Sequence, residues 1–414
     1  MASRLRRVVI TGLGCVTPCG IGVEQTWGAV TSGRSGTKPI SSFDVSGCQS
    51  RVAGEILDFN PSDFLARREI QAFSRYLHFG FAAARMAWDD ARVTNELDRD
   101  RVGVCIGSAV SAISRNITDA LTFEALGIDR VHPMCPLQYP GSLPSEVAIA
   151  LGLRGPAYAI STACTAGADA AGLALGLIAS GVIDAALVGG ADAPIFPLLF
   201  HAFDKLQVVS RLNDPPERAS RPFSRDRCGF VLSEGAGVVM LEAEDVARER
   251  GARIYAELAG FGATSDAHHH LQPSAEGTQG VRAVEQALRH AGVRASDVDY
   301  VNAHGTSTAK NDSIETTILR RALGEHAEQI PVSSSKSMLG HMIGAAAAVE
   351  LIIAALAVHE GVVPPTINLT DPDPECDLDY VSDGVRHMPL RTVLSTSFGF
   401  GSRNAALVVR AAGG

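Results

Sequence analysis

No CxxC pair and no compact cysteine cluster occurs in this chain: its eight cysteines, at 15, 19, 48, 105, 135, 164, 228 and 376, are scattered. That argues against a disulfide framework or a zinc knuckle and fits a reducing cytoplasm. Basic runs are also missing, and 36 Lys+Arg against 45 Asp+Glu leave a net charge of −9. A surface built to neutralise nucleic-acid phosphates is not expected. Met1 to Arg7 runs straight into the strand-like Val8-Val9-Ile10, leaving no room for the apolar core of a signal peptide. A long hydrophobic span is lacking too. The most apolar helical stretch, Ala345 to Val358, falls short of the roughly 20 residues a bilayer requires and carries Glu350 in its middle. It is expected to be a buried core helix whose one carboxylate needs a partner, and no membrane is expected as a partner.

What is present is ample apolar surface. With 414 residues, 46% hydrophobic and 20% charged, the chain can bury a large core in one big or two medium domains. Short β-branched runs (Arg7 to Thr11, Val102 to Ile106, Ala185 to Val188, Val238 to Leu241, Val298 to Val301, Pro331 to Ser334) alternate with longer alanine-rich segments. This alternation predicts α/β layers. Two resemblances within the chain hint at a duplication: Phe230 to Leu241 with Ser397 to Val409, and Ser161 to Gly167 with Ser334 to Gly340. The halves would meet near residue 255. Gly12-Leu13-Gly14 after the first strand lacks the third glycine of a dinucleotide fingerprint, which would fall at Thr17, and Pro18 stands where the phosphate-binding helix should start. The pair is expected to mark a tight turn, and no bound NAD is predicted.

Cys164 stands where the extended run Pro156 to Ala163 gives way to a small-residue helix beginning at Thr165. Unpaired N–H groups and the positive end of the helix dipole favour S⁻ over SH there, so a thiolate nucleophile is expected; a small buried apolar residue is the plainer alternative. Three polar or glycine-rich segments each follow a strand-like run: Asn302-Ala-His304-Gly-Thr306-Ser-Thr308, Ser335-Lys336-Ser-Met-Leu-Gly-His341 and Ser397-Phe-Gly-Phe400-Gly. Ligands of α/β folds usually bind just beyond the carboxyl ends of strands, which makes His304 and His341 candidates. His268-His269-His270 could suggest a metal, but three adjacent side chains do not readily converge on one ion. No metal is assigned.

Ser161-Thr-Ala-Cys164, Asn302 to Thr308 followed by Asn311-Asp312, Lys336 to His341 and Ser397 to Gly401 resemble, in order and spacing, the elongating β-ketoacyl-ACP synthases. The resemblance extends to Ala219-Ser-Arg-Pro-Phe223, Gly229 to Leu232 and Glu234-Gly235, and covers essentially the whole chain. It implies a thiolase-like fold of two duplicated halves, 1–254 with the nucleophilic cysteine and 255–414 with the His and Lys motifs. The resemblance also implies that the halves form a five-layer αβαβα arrangement, assembled as a dimer. An acyltransferase follows: Cys164 takes an acyl group, the N–H groups of Cys164 and Phe400 form the oxyanion hole, and His304 and His341 stabilise the enolate left by decarboxylation of malonyl-ACP. A helix start beside His341 would help keep its imidazole neutral. Lys336 takes an electrostatic and orienting role with Glu350 as partner, and Phe400 resembles a gating phenylalanine. Thr306 and Thr308 would bind the 4'-phosphopantetheine arm that carries the substrate, with no separate cofactor bound.

Gly401-Ser402-Arg403-Asn404 departs from the Gly-Gly-Thr-Asn of the fatty-acid enzymes. Ala191 to Ile195, Ala202-Phe-Asp204, Gly361 to Pro365 and Asp373 to Tyr380 look more like the ketosynthase α subunits of type II polyketide synthases. Such subunits usually pair with a homologous chain-length factor that has lost the cysteine; a homodimeric fatty-acid synthase is the alternative. Acyl carrier protein is the expected partner, and Arg67, Arg68 and Arg211 are candidates for a basic docking patch. A thiolase would need a second catalytic cysteine in the carboxyl-terminal half, but Cys228 and Cys376 lie outside the motifs. A non-catalytic partner subunit is disfavoured by the Cys164, His304 and His341 set.

Overall fold

A computed structural model describes residues 5–93 and 97–413. Met1 to Arg4, the start of the segment read as lacking a signal, lie outside the described residues. Ten strands build the body: β1 (Val8–Thr17), β2 (Val102–Gly107), β3 (Ala157–Ile160), β4 (Ala185–Asp192), β5 (Gly235–Ala243), β6 (Ala256–Ser265), β7 (Tyr300–Asn302), β8 (Val332–Ser333), β9 (Thr392–Gly399) and β10 (Arg403–Arg410). The order β3-β2-β4-β5-β1 is continued by β6-β10-β9-β7-β8, with Gly20–Ile21 added beside β1. The second set repeats the first in both order and sense: two antiparallel pairings, then two parallel ones. That is the expected duplication. The two sheets also join edge to edge, because Val9 and Ile10 of β1 pair with Glu257 and Ala256 of β6.

Both faces of the strands are apolar and divide by the two-residue period of the pleat. Val188, Leu241, Val393 and Leu407 point to one core, shared with helices α2 (Ala166–Ala179) and α5 (Ala346–Glu360). Leu187 and Met240 face a second core with α1 (Arg75–Asp90), and Leu394 and Val408 face a third with α3 (Thr278–Ala291) and α4 (Ala309–Leu323). Helices therefore lie outside each sheet and between the two, which gives five layers. Ile343–Glu360 is apolar and long enough to cross a bilayer by composition, slightly longer than expected, but it is buried as the central layer.

Gly12-Leu13-Gly14 is not a turn. It lies inside β1, where a Cβ on Gly12 would stand 2.2 Å from the Ala87 carbonyl oxygen and one on Gly14 2.1 Å from that of Ala83. β6 repeats the arrangement, with Gly260 and Gly262 at 2.2 and 2.1 Å from the carbonyls of Ala287 and Ala283. Each glycine pair admits an alanine-faced helix against its strand, a packing need that a one-residue spacer shares with nucleotide loops. The second internal resemblance is displaced. Ala163-Cys164-Thr165, a single 3-10 turn with φ +55° at Ala163, is matched by Ile343-Gly344-Ala345, with φ +52° at Ile343. The intervening Lys336–Leu339 helix and His341 are extra to the carboxyl-terminal corner, so aligning on Ser334 misses the true register.

Candidate active site

The parallel strands of each half end on the same side, and their carboxyl ends supply the site. Cys164 follows β3, His304 follows β7, Lys336 and His341 follow β8, and Phe400 follows β9. The two halves meet where His341 Nε2 lies 3.1 Å from Cys164 Sγ. The His304 ring stands perpendicular to that of His341 with centroids 5.3 Å apart, and Phe230 presents its edge to His341 at the same separation. The backbone of His341 is bonded on both sides: its N–H donates to the Val231 carbonyl at 2.7 Å, and its carbonyl accepts from Ser233 at 3.0 Å. This explains why Gly229 to Leu232 belongs with the chemistry-bearing segments.

Burial pushes the Cys164 thiol up to about 12, aided by buried Asp192; the Lys336 charge and the backbone N–H groups of Phe400 and Cys164 pull the other way. The helix start favours the thiolate, as expected from the sequence, but burial opposes it. A helix start stabilises an adjacent anion by at most about 2 kcal/mol, which does not offset the loss of water around a sulfur only 5% exposed. The sulfur rests as SH with a neutral imidazole beside it. The N–H groups of Phe400 and Cys164 are the pair expected for an oxyanion hole. The close approach depends on Gly399, whose Cβ would stand 3.2 Å from the Cys164 nitrogen.

His304 and His341 are held well below the ordinary histidine value, first by burial and then by the positive charge of Lys336. Burial, rather than the expected helix start, is the leading cause of neutrality. The unfolded chain takes up protons below about pH 6.5 that the native site refuses, so this pair lowers stability as pH falls through that value. Imidazole NMR should show both rings still neutral at about pH 5.5. A midpoint near 6.5 for either ring would contradict the burial argument.

Lys336 and Glu350 are both buried and form an ion pair through Nζ and Oε1. Burial raises the Glu350 carboxyl to about 7 although Lys336 pulls it down. Thr306 and Thr308 lie on either side of Ser307, which has φ +68°, and their hydroxyls are 3.0 Å apart. These threonines, both histidines, Cys164 and Phe400 line one cavity of about 610 Å³.

Sequence reasoning missed two supports. Glu315 of α4 accepts the N–H groups of His304 and Gly305 at 2.8 and 2.7 Å and the Thr396 hydroxyl at 2.6 Å, which fixes the His304 loop. Asp192, at the end of β4, accepts from Ser108 Oγ, Ala109 N and Gly344 N, so one carboxylate ties both halves beside the sulfur. Their signal was faint: an acid three residues after Asp312 on one helix, and a lone acid ending an apolar strand.

Arg211 is exposed and does not line the cavity, but its backbone N–H donates at 3.4 Å to the sulfur of Cys228, which does. Arg67 and Arg68 are exposed on the first turn of the Arg67–Ala72 helix and do not line it. Cys228 is thus nearer the chemistry than its place outside the motifs implied, whereas Cys376 is buried in the third core. His269 and His270 stack at the surface, with centroids 4.1 Å apart. Among the described residues no group of three or more His, Cys, Asp or Glu is placed to hold a metal.

A duplicated, five-layer α/β body with a buried Cys–His–His cluster where its halves meet is a thiolase-like acyltransferase. Residues 5–247 match the family model described as "Beta-ketoacyl synthase, N-terminal domain" and residues 255–370 the one described as "Beta-ketoacyl synthase, C-terminal domain". The chain belongs to the β-ketoacyl synthase family. It is 42% identical to the 3-oxoacyl-(acyl-carrier-protein) synthase 2 of Synechocystis sp., over 98% of each chain. It is 43% identical to the β-ketoacyl synthase 1 named for the actinorhodin polyketide in Streptomyces coelicolor, over 98% of this chain and 88% of that one. Among solved structures, a chain of the ishigamide ketosynthase/chain length factor is 34% identical, with a TM-score of 0.91 over 99% of this chain and 100% of that chain.

Proposed function

We propose that the protein is the catalytic ketosynthase subunit of a type II polyketide synthase, with Cys164 as nucleophile. The observation that carries the mechanism is the 3.1 Å contact between a buried thiol and a neutral imidazole, with a second neutral imidazole facing the first. Cys164 sulfur attacks the acyl thioester, its proton passes to His341 Nε2 and on to the departing pantetheine sulfur, and the Cys164 and Phe400 N–H groups hold the oxyanion. In the second half-reaction the bond to the malonyl carboxylate breaks, CO₂ leaves, and the electron pair becomes an enolate hydrogen-bonded by His304 and His341. The enolate carbon then attacks the acyl carbonyl, and the bond to Cys164 sulfur breaks with its electron pair on sulfur, which takes a proton from water to restore the thiol. Neither Nδ1 has a hydrogen-bond partner among the described residues, so no protein group pins the tautomer. Nε2 of His341 is free to accept in the first half and donate in the second.

Lys336, held by Glu350, adds its positive charge to the burial that keeps both imidazoles unprotonated, while Thr306 and Thr308 meet the amides of the phosphopantetheine arm. The arm belongs to an acyl carrier protein, whose acidic face would meet Arg211, with Arg67 and Arg68 as further exposed cations. Residues 1–254 and 255–414 are the two duplicated units, a division supported by the repeated strand order. A homologous chain-length factor is the proposed partner. β3 ends the sheet with Tyr158 exposed, and the Ile113–Leu126 helix exposes Leu121, Phe123 and Leu126, an edge and an apolar face each suited to a second chain. The eight free cysteines support a cytoplasmic setting. The near-equal identity to fatty-acid and polyketide relatives keeps a homodimeric fatty-acid synthase as the second reading.

The half-reactions are separable in the laboratory. His304→Ala should slow CO₂ release from malonyl-ACP by about 10²-fold or more and change acyl transfer to Cys164 far less. Equal losses in both would overturn this division of labour.

A further inference from the structure

The turn that carries Phe400 is clamped from outside. It joins β9 to β10, and its last residue, Ser402, adopts φ +64°, a left-handed conformation uncommon for residues other than Gly, Asn and Asp. The Ser402 hydroxyl donates to the His269 carbonyl at 2.9 Å and accepts from the N–H groups of His268 and His269, both at 3.2 Å. Two backbone bonds flank it, Gly401 N–H to the His270 carbonyl and Asp266 N–H to the Ser402 carbonyl, each 2.8 Å. The segment held in this way continues into Leu271, Gln272 and Pro273, which line the same cavity as Cys164.

We infer that Ser402 is a positioning residue that locks Phe400 beside the nucleophile and so sets which acyl groups reach it. The inference rests on the proposed roles of Cys164 and Phe400. Cys164 is 5% exposed, so a long acyl chain on its sulfur must displace a neighbour. His341 and Ile343 are themselves buried, whereas Phe400 is only partly buried and is followed by Gly401 at φ +81°. Phe400 is the neighbour able to swing, and swinging strains the hydrogen bonds of Ser402. A chain whose turn bears glycine at this position lacks that restraint. Acyl groups small enough to fit without the swing are admitted; long ones are held back.

The test uses full-length protein and Ser402→Gly and Ser402→Ala variants, following acylation of Cys164 by acetyl and decanoyl pantetheine thioesters with intact-mass spectrometry. Iodoacetamide, a small probe, reports access to the sulfur itself. Both substitutions should raise the decanoyl-to-acetyl rate ratio about threefold to tenfold, with alkylation changed less than about twofold. An unchanged ratio in both variants would overturn the inference. So would a rise in the glycine variant alone, because backbone strain rather than the hydroxyl would then be responsible. Absence of any Cys164 adduct in the unsubstituted protein would instead overturn the proposed function, a distinguishable result.

Discussion

Cys164→Ala should leave no acyl group on the protein after incubation with an acyl thioester, and condensation should fall by about 10⁴-fold or more. Alanine keeps the backbone N–H of the oxyanion hole and the helix start, so the loss isolates the sulfur. The site otherwise stays intact. Cys228 lines the same cavity, but its sulfur already accepts from Arg211 N–H at 3.4 Å and contacts the Ser210 hydroxyl at 3.6 Å, with no histidine among those partners. Cys228→Ala should therefore retain the adduct. Peptide mapping of the two variants checks both statements, and an adduct that persists in Cys164→Ala would assign the nucleophile elsewhere.

The second large effect concerns the buried ion pair. Removing one partner of such a pair strands a charge and destabilises by about 3–5 kcal/mol, while replacing both with apolar residues is often close to neutral. Glu350→Leu alone should lower the melting temperature more than Lys336→Met with Glu350→Leu together. The double variant should nonetheless have lost most activity, because the charge that helps keep His304 and His341 neutral is gone. Lys336→Met carries a pH signature. Glu350 already titrates near 7, above its ordinary carboxyl value, so the folded state holds an extra proton between about pH 4.5 and 7. Stability from that proton is present at low pH and lost as pH rises through the folded value, so Lys336→Met should be least impaired in acid. Thermal denaturation at two pH values reads the sign, and additive losses in the double variant would argue that the two side chains do not depend on one another.

Much of this was legible in the sequence because the chemistry is concentrated in short motifs at strand ends. Cys164, His304, His341, Lys336 and the carboxylate of Glu350 could be singled out, since an acid in an apolar helix demands a partner and a lysine in a glycine-rich motif can supply it. Glu315 and Asp192 were hidden for the opposite reason. They bind backbone N–H groups, and backbone carries no sequence signature. Gly12 and Gly14, expected to mark a tight turn, lie inside a strand because glycines one residue apart also let a helix pack closely against it. The helix start beside Cys164 is visible in the sequence, whereas its depth of burial depends on residues distant along the chain, Phe200, Val209, Phe230 and Ile343 among them.

The central claim, that Cys164 serves carbon–carbon bond formation, is tested most directly by acylating the purified protein, adding malonyl-ACP, and measuring CO₂ together with the mass of the carrier-bound product. The account predicts one CO₂ for each acyl group lost from Cys164 and a product on the carrier extended by one ketide unit. Cleavage of an acetoacetyl thioester by free CoA, with no CO₂ released from malonyl-ACP, would contradict it.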